Sequence, residues 1–367
     1  DFLSQLRVRG AWGQSGLRPQ FRDAQTLLAP VTVNVPGGDQ PGIVLDNTGN
    51  SELEPERSTE VEFGFDAGLC DDRLGIDFTF FNKTSTDALI ARRLPGSLGL
   101  TTTFFDNLGE IRNRGTELTV NLDVYQSENI GFNVGFTNMT LSNEVVELGE
   151  GIDPIIFNRG LQRHEQGFSA GGFWQERYTF SDPNGDGLLE VGDVQLSGEG
   201  DEYIGPSLPE WNRSLFADLR ISNWITVSTL FEGRGGHFTG NDSFAFRCQV
   251  SSVCAARSDP NTSLENQARF IADSFLGSAY GYVEQADFWR WRELSVAFDM
   301  PSFVTESAPR LEGLRLTLAG RNLATFTDYT GLDPETNEGG ASANFSQSEF
   351  NTQAPVRTFT LRLDYRF

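Results

Sequence analysis

The 367 residues carry 51 Asp and Glu against 28 Lys and Arg, a formal charge of −23, so no basic face is present for a phosphate backbone and a nucleic-acid partner is excluded. Mean hydropathy is −0.33 and no apolar run approaches the ~18 residues of a membrane helix, which excludes a helical membrane protein. The sequence opens on Asp1 with neither an initiating Met nor a signal peptide, and is expected to be a piece of a longer chain.

Taken in chain order, the sequence shows strand periodicity and almost no helical pattern. Alternation of apolar and polar residues begins at Leu6 ("LRVRGAWG") and returns from Val61, Leu74, Thr116, Ile130, Arg213, Ile225, Trp291 and Leu314. It is complete in "TFTLRLDYRF", where Phe359, Leu361, Leu363, Tyr365 and Phe367 share one face and Thr358, Thr360, Arg362, Asp364 and Arg366 the other. The pattern predicts roughly ten strands of about nine to eleven residues, the length that crosses a bilayer at a tilt.

The links between these strands alternate. Long ones run from Gln14 to Glu60, Lys83 to Gly115, Ser142 to Asn212, Arg234 to Arg290 and Leu323 to Arg357. Between them come "CDDR", "QSEN", "SN" at Ser222 and Asn223, and a modest link from Pro301 to Gly313. A soluble β-sandwich has no reason to gather its long loops at one end. An outer-membrane barrel does, because its periplasmic turns are short and its extracellular loops long. The expectation is an all-β, transmembrane antiparallel β-barrel wall, with Phe, Leu, Val and Ile toward lipid and Asp, Glu, Arg, Thr and Gly toward a wet lumen. A soluble barrel with its faces reversed shares the periodicity; the loop asymmetry and the aromatic terminus Phe367 favour the membrane. Ten strands would leave two open edges in hydrocarbon, so these strands are expected to belong to a larger barrel.

Within the Ser142–Asn212 link, "SDPNGDGLLEVGD" places Asp182, Asn184, Asp186, Gly187, Glu190 and Asp193 at the ligand and turn places of an EF-hand calcium loop. A structural Ca²⁺ held by Asp182, Asn184, Asp186, the Leu188 carbonyl and Asp193 would pin a loop that carries 14 acidic residues against 3 Arg between Glu144 and Trp211. Asp193 replaces the usual bidentate Glu and no helix flanks the motif. The competing reading is an Asn-Gly or Asp-Gly turn that binds nothing. Cys248 and Cys254 are spaced for a bridge within one loop and Cys70 stands alone; three unpaired thiols are the alternative. His164 and His237 fall in different links with no ligand-spaced partner, so neither a zinc site nor a Ser-His-Asp hydrolase is expected. Trp174, Trp211, Phe288, Trp289 and Trp291 would stack on sugar rings or, more commonly, form the girdle of a barrel. Arg290, Arg292 and Glu293 read as ion pairs of the lumen.

Several blocks, in this order, resemble the C-terminal half of the SusC/RagA class of TonB-dependent outer-membrane transporters: "NSELEPERSTEVEFGFDAGL", "FDNLGEIRNRGTELTVNLDV", "DPNGDG" followed by "IGPSLPEWNRSLFADL", "ADFWRWRELSVAFDMP" and "LRLTLAGRNLATFTDYTGLDPE". The resemblance covers nearly the whole chain and rests on the order and spacing of the blocks together. It implies a barrel of about 22 strands in the outer membrane of a Gram-negative cell, a plug and a TonB-contacting segment N-terminal to the residues present, and a SusD-like surface lipoprotein. It further implies import of oligosaccharides or peptides, not enzymatic activity. Other readings are a siderophore- or cobalamin-type TonB-dependent receptor, or a surface adhesin barrel without transport.

Overall fold

The computed structural model describes residues 2–20, 22–93, 103–149, 152–222, 224–308, 313–340 and 345–365. Asn223, Arg366 and Phe367, all used in the sequence reading, lie outside them. Ten strands form one antiparallel sheet in strict chain order: β1 (Leu3–Leu17), β2 (Glu56–Leu69), β3 (Leu74–Arg93), β4 (Thr103–Gln126), β5 (Ile130–Glu147), β6 (Trp211–Ile221), β7 (Ile225–Gly235), β8 (Phe288–Asp299), β9 (Leu314–Thr327) and β10 (Thr358–Tyr365).

Because side chains alternate with period two, the register fixes which residues share a face. Leu6, Ala67, Ile76, Val120, Phe136, Leu215, Phe231 and Trp291 are successive cross-strand partners through eight strands. A parallel row runs Leu74, Leu122, Val134 and Ala217. These rows make a continuous apolar surface, with Leu6, Phe63, Phe80 and Leu361 all exposed on the chain by itself. In water such a surface would aggregate; in lipid it is the required one, since an Arg or Lys at the bilayer midplane costs about 2–4 kcal/mol. The opposite face is ionic: the Arg9 guanidinium pairs with Asp66 and donates to Asp77 at 2.7 Å and Thr79 at 2.6 Å, Ser228 donates to Asp218 at 2.5 Å and Asn133 to Asp123 at 3.0 Å.

Three features depart from the sequence reading. First, β3 and β4 run 20 and 24 residues, so the Lys83–Gly115 link is mostly strand, paired out to Arg93 opposite Thr103. Backbone pairing continues beyond the bilayer because the neighbouring strand supplies hydrogen bonds whether or not the side chains alternate. The same extension to Glu147 narrows the Ser142–Asn212 link to a loop of residues 148–210. Second, in β8 the register slips between Trp291 and Glu293. This bulge at Arg292 keeps Trp291 and Leu294 on the apolar face and turns Arg290, Arg292 and Glu293 to the ionic one. Third, short helices occur where none is expected, at Asp242–Gln249 and Leu264–Ile271, started by caps in which Asn241 accepts from the Phe244 N–H at 3.2 Å and Ser263 from that of Asn266 at 3.4 Å.

At the short-link end, the turns are tight. Cys70, Asp71 and Asp72 take φ of 55, 57 and 63 in succession. At the other end lie the loops 18–55, 148–210, 236–287 and 328–357, the first carrying a separate hairpin of Leu27–Val35 with Gly38–Asn47. Among the described residues, β1 and β10 each pair on one side only. Open edges are not tolerated in hydrocarbon, so each needs a further strand beside it.

Candidate functional site at the long-loop mouth

The ionic face of the sheet ends, at the long-loop rim, in an arginine cluster. Arg290 of β8, with 1% of its side chain exposed, meets Asp333 at 2.5 Å and Glu335 at 2.9 Å. Glu335 is shared with Arg292 and, at 3.5 Å, with Arg234 of β7; Arg292 also holds Glu232 at 2.5 Å. Burial by itself would raise the Glu335 carboxyl, but Arg292, Arg290 and Arg234 hold it below the usual carboxylate range. The paired reading of Arg290 and Arg292 agrees with this geometry. Their partners in the segment Asp333-Pro334-Glu335 were not legible, because only the fold brings residues more than 40 positions apart into contact.

Three loops interlock above this cluster. Gln162, fully buried, donates to the carbonyls of Gly171 at 2.6 Å and Phe345 at 2.7 Å and accepts from the Gln347 N–H at 3.0 Å. Residues 240–241 pair in parallel with residues 348–349. Asp242 is met by both Arg159 and Ser348. Glu284 takes the Asn241 amide at 2.9 Å, the Thr330 N–H at 2.9 Å and Arg269 at 3.0 Å, and Ser243 donates to the buried Glu349 at 2.7 Å. Burying a carboxylate is costly unless several donors replace water, so these contacts hold loops 148–210, 236–287 and 328–357 together as one lobe.

The calcium-like stretch lies on the side of this lobe. Asp182 accepts from the N–H of Gly185 at 2.8 Å and Gly187 at 2.9 Å, Asn184 from Asp186 at 3.1 Å, Asp186 from Leu188 at 2.8 Å, and Asp193 from Glu190 at 2.8 Å. Gly185 and Gly187 have φ of 72 and 81, the left-handed turn an L side chain disfavours. The loop is fastened by Gln267, which donates to the Gly187 carbonyl and accepts from the Leu189 N–H, both at 2.9 Å. Among the described residues no three His, Cys, Asp or Glu side chains converge as a metal set. Asp182, Asn184, Asp186 and Asp193 carry hard oxygens of the kind Ca²⁺ takes, each already accepting a backbone N–H within the turn.

Cys248 and Cys254, both buried, are joined with their Cα atoms 4.9 Å apart, and Cys70 is exposed and free. Trp211 and Trp289 lie 6.1 Å apart at the rim of the apolar face and Trp291 stacks on Phe231 at 5.4 Å, the positions of a girdle. Phe288 is buried on the ionic side. Trp174 belongs to the lobe, packed on Phe168 at 4.6 Å with the Arg163 guanidinium 3.9 Å from its ring. His164 and His237 are packing residues: burial pushes each imidazole down to about 4, and the His164 Nδ1 accepts from the Gly171 N–H at 3.0 Å.

An antiparallel wall with an apolar outer face, an ionic inner face, short turns at one rim and a folded lobe at the other is the wall of an outer-membrane β-barrel. The family model described as "TonB dependent receptor-like, beta-barrel" matches residues 1–323, and the chain belongs to that family. TonB-dependent receptor P3 of Formosa agariphila is 26% identical over 402 residues, spanning 100% of this chain and 40% of that protein; TonB-dependent receptor P26 of the same organism is 22% identical over 418 residues, with the same shares. The chain thus spans about 40% of the length of the curated relatives it matches. Among solved structures, the RagAB peptide importer in its closed-closed state superposes with a TM-score of 0.77 at 20% identity, over 98% of this chain and 41% of that one. In the open-open state the TM-score is 0.74 at 19% identity, over 98% and 40%. The structural likenesses bear out the fold, and membership of the family bears out the outer-membrane location.

Proposed function

We propose that this chain is the C-terminal part of the barrel of a TonB-dependent importer. It carries oligosaccharides or peptides across the outer membrane of a Gram-negative cell, with a SusD-like lipoprotein seated on the long-loop lobe. The observation that supports this is the pairing of faces: unbroken apolar rows outside, and inside a polar wall with ion-paired clusters at Arg9 and at Arg290, the second lying under an ordered mouth. An adhesin needs no wet, ion-paired inner wall. The long loops face the outside of the cell, and energy arrives through TonB acting on the N-terminal part of the protein. In the same reading, Ca²⁺ bound by Asp182, Asn184, Asp186, the Leu188 carbonyl and Asp193 clips the loop that Gln267 already fastens. The test is uptake of labelled oligosaccharides and of labelled peptides by cells carrying the full-length protein, with and without TonB. Energy-dependent uptake of one class is expected; surface binding with no TonB-dependent uptake of either would sink the reading.

A further inference from the structure

Inside the mouth, at the rim ends of β5 and β6, a half-enclosed cleft of about 150 Å³ is walled by Leu141, Asn143, Phe168, Tyr203, Pro206 and Glu210. Leu141 and Asn143 continue the inner-face register of Asn133, Gly135 and Thr137, so the cleft belongs to the lumen side of the wall. Its aromatic wall is rigid: the Phe168 and Tyr203 rings lie 4.8 Å apart and Trp174 backs them at 4.6 and 5.2 Å.

Glu210 is the carboxylate of the lining. Its backbone is fixed, the N–H donating to the Gly235 carbonyl at 2.9 Å and the carbonyl accepting from the Leu141 N–H at 2.8 Å, while its side chain stays exposed and enters no ion pair among the described residues. Arg163, the cation of this aromatic group, is already held by Glu165 at 2.8 Å. The Tyr203 hydroxyl feels the charge of that carboxylate: burial first, and Glu210 second, push its pKa up to about 12, while a hydrogen bond to the Ser169 backbone acts against them.

A carboxylate that enters no ion pair among the described residues, lining one cleft with two aromatic rings and apolar walls, is complementary to an alkylammonium group. The carboxylate offsets the charge, the ring quadrupoles attract it, and Leu141, Pro206 and Phe168 cover the methylenes. An anion is repelled here, and the surrounding Glu144–Trp211 span, with 14 acidic residues against 3 Arg, attracts cations over a longer range. We propose that this cleft receives the lysine side chain of a peptide entering the barrel. The proposal rests on the import reading and narrows its substrate class to peptides.

The experiment is calorimetric titration of the full-length protein in detergent, at physiological salt, with two end-blocked tripeptides, Gly-Lys-Gly and its isostere with norleucine in place of lysine. The lysine peptide is expected to bind about tenfold more tightly, equivalent to about 1.4 kcal/mol. Glu210→Gln should erase that preference and Glu199→Gln, a loop carboxylate outside the cleft, should leave it. Because the Glu210 side chain is exposed, its substitution does not threaten folding. Equal binding of the two peptides, a preference that survives Glu210→Gln, or one lost equally in Glu199→Gln overturns the proposal. Binding is read without TonB, so failed uptake leaves this result standing, and failed discrimination leaves the importer reading standing.

Discussion

The guanidinium of Arg290 is enclosed by Asp333 and Glu335, all three largely shut off from solvent. Removing one partner of a buried pair leaves the others desolvated and costs about 3–5 kcal/mol. Arg290→Ala is therefore expected to free residues 328–340, seen as faster amide exchange there, with β3–β5 unchanged; an unaltered loop would mean that the ion pairs do not hold it. At the calcium-like loop, Asp182→Ala with Asp186→Ala removes both the acceptors for Gly185, Gly187 and Leu188 and the proposed cation ligands. The wild-type protein should give heat on calcium titration, and chelation should loosen residues 181–193 without unfolding the barrel. No heat and identical exchange in this loop would reduce the stretch to a turn. The turn pattern was legible because its spacing is local. The Gln267 side chain that fastens the loop was not, being about 80 positions away.

Among the elements, the loop 236–287 combines two capped helices with the bridge between Cys248 and Cys254. Under non-reducing conditions, mass analysis should find those two cysteines linked and Cys70 alone modified by a thiol reagent; labelling of all three would contradict the bridge. The turns at Cys70–Arg73 and Ser127–Asn129 lie at the opposite end of the sheet from this loop. Protease added to intact cells should consequently cut near Asp186 and never at "QSEN", and cleavage at that turn would invert the proposed orientation. Helix Leu264–Ile271 escaped the sequence reading because eight residues carry barely two turns of periodicity. Its stability comes from burying Ala268 and Ile271 against Val194 and Ala272.

For the whole molecule, acid should act on the lobe before the barrel. His164 and His237 have folded values near 4 against 6.5 when unfolded, so the unfolded chain binds more protons between those limits. The stability they contribute is complete above about pH 6.5 and is lost as pH falls toward 4, on the order of 3 kcal/mol per imidazole. Asp273, raised to about 6 by burial, acts in the opposite direction, its penalty relieved as it protonates. With two imidazoles against one carboxyl, amide protection in loops 148–210 and 236–287 should fall between pH 6.5 and 4 while the sheet, paired strand to strand, stays protected. Equal loosening of sheet and loops would show that these histidines do not control the response.

The alternation in "TFTLRLDYRF" and its counterparts determined the strands, their faces and their order, because period two is a property of one strand and short links force antiparallel neighbours. The spacing of Asp182, Asn184, Asp186 and Asp193, and of Cys248 and Cys254, was readable for the same reason: each set acts within one turn of chain. Only the tertiary structure decided how far β3 and β4 extend, where the Arg292 bulge re-aims β8, and which acids meet Arg290. It alone set Glu210 beside Phe168 and Tyr203. Those outcomes depend on contacts between loops distant in sequence, and loop closure leaves no periodic trace in the residues it joins.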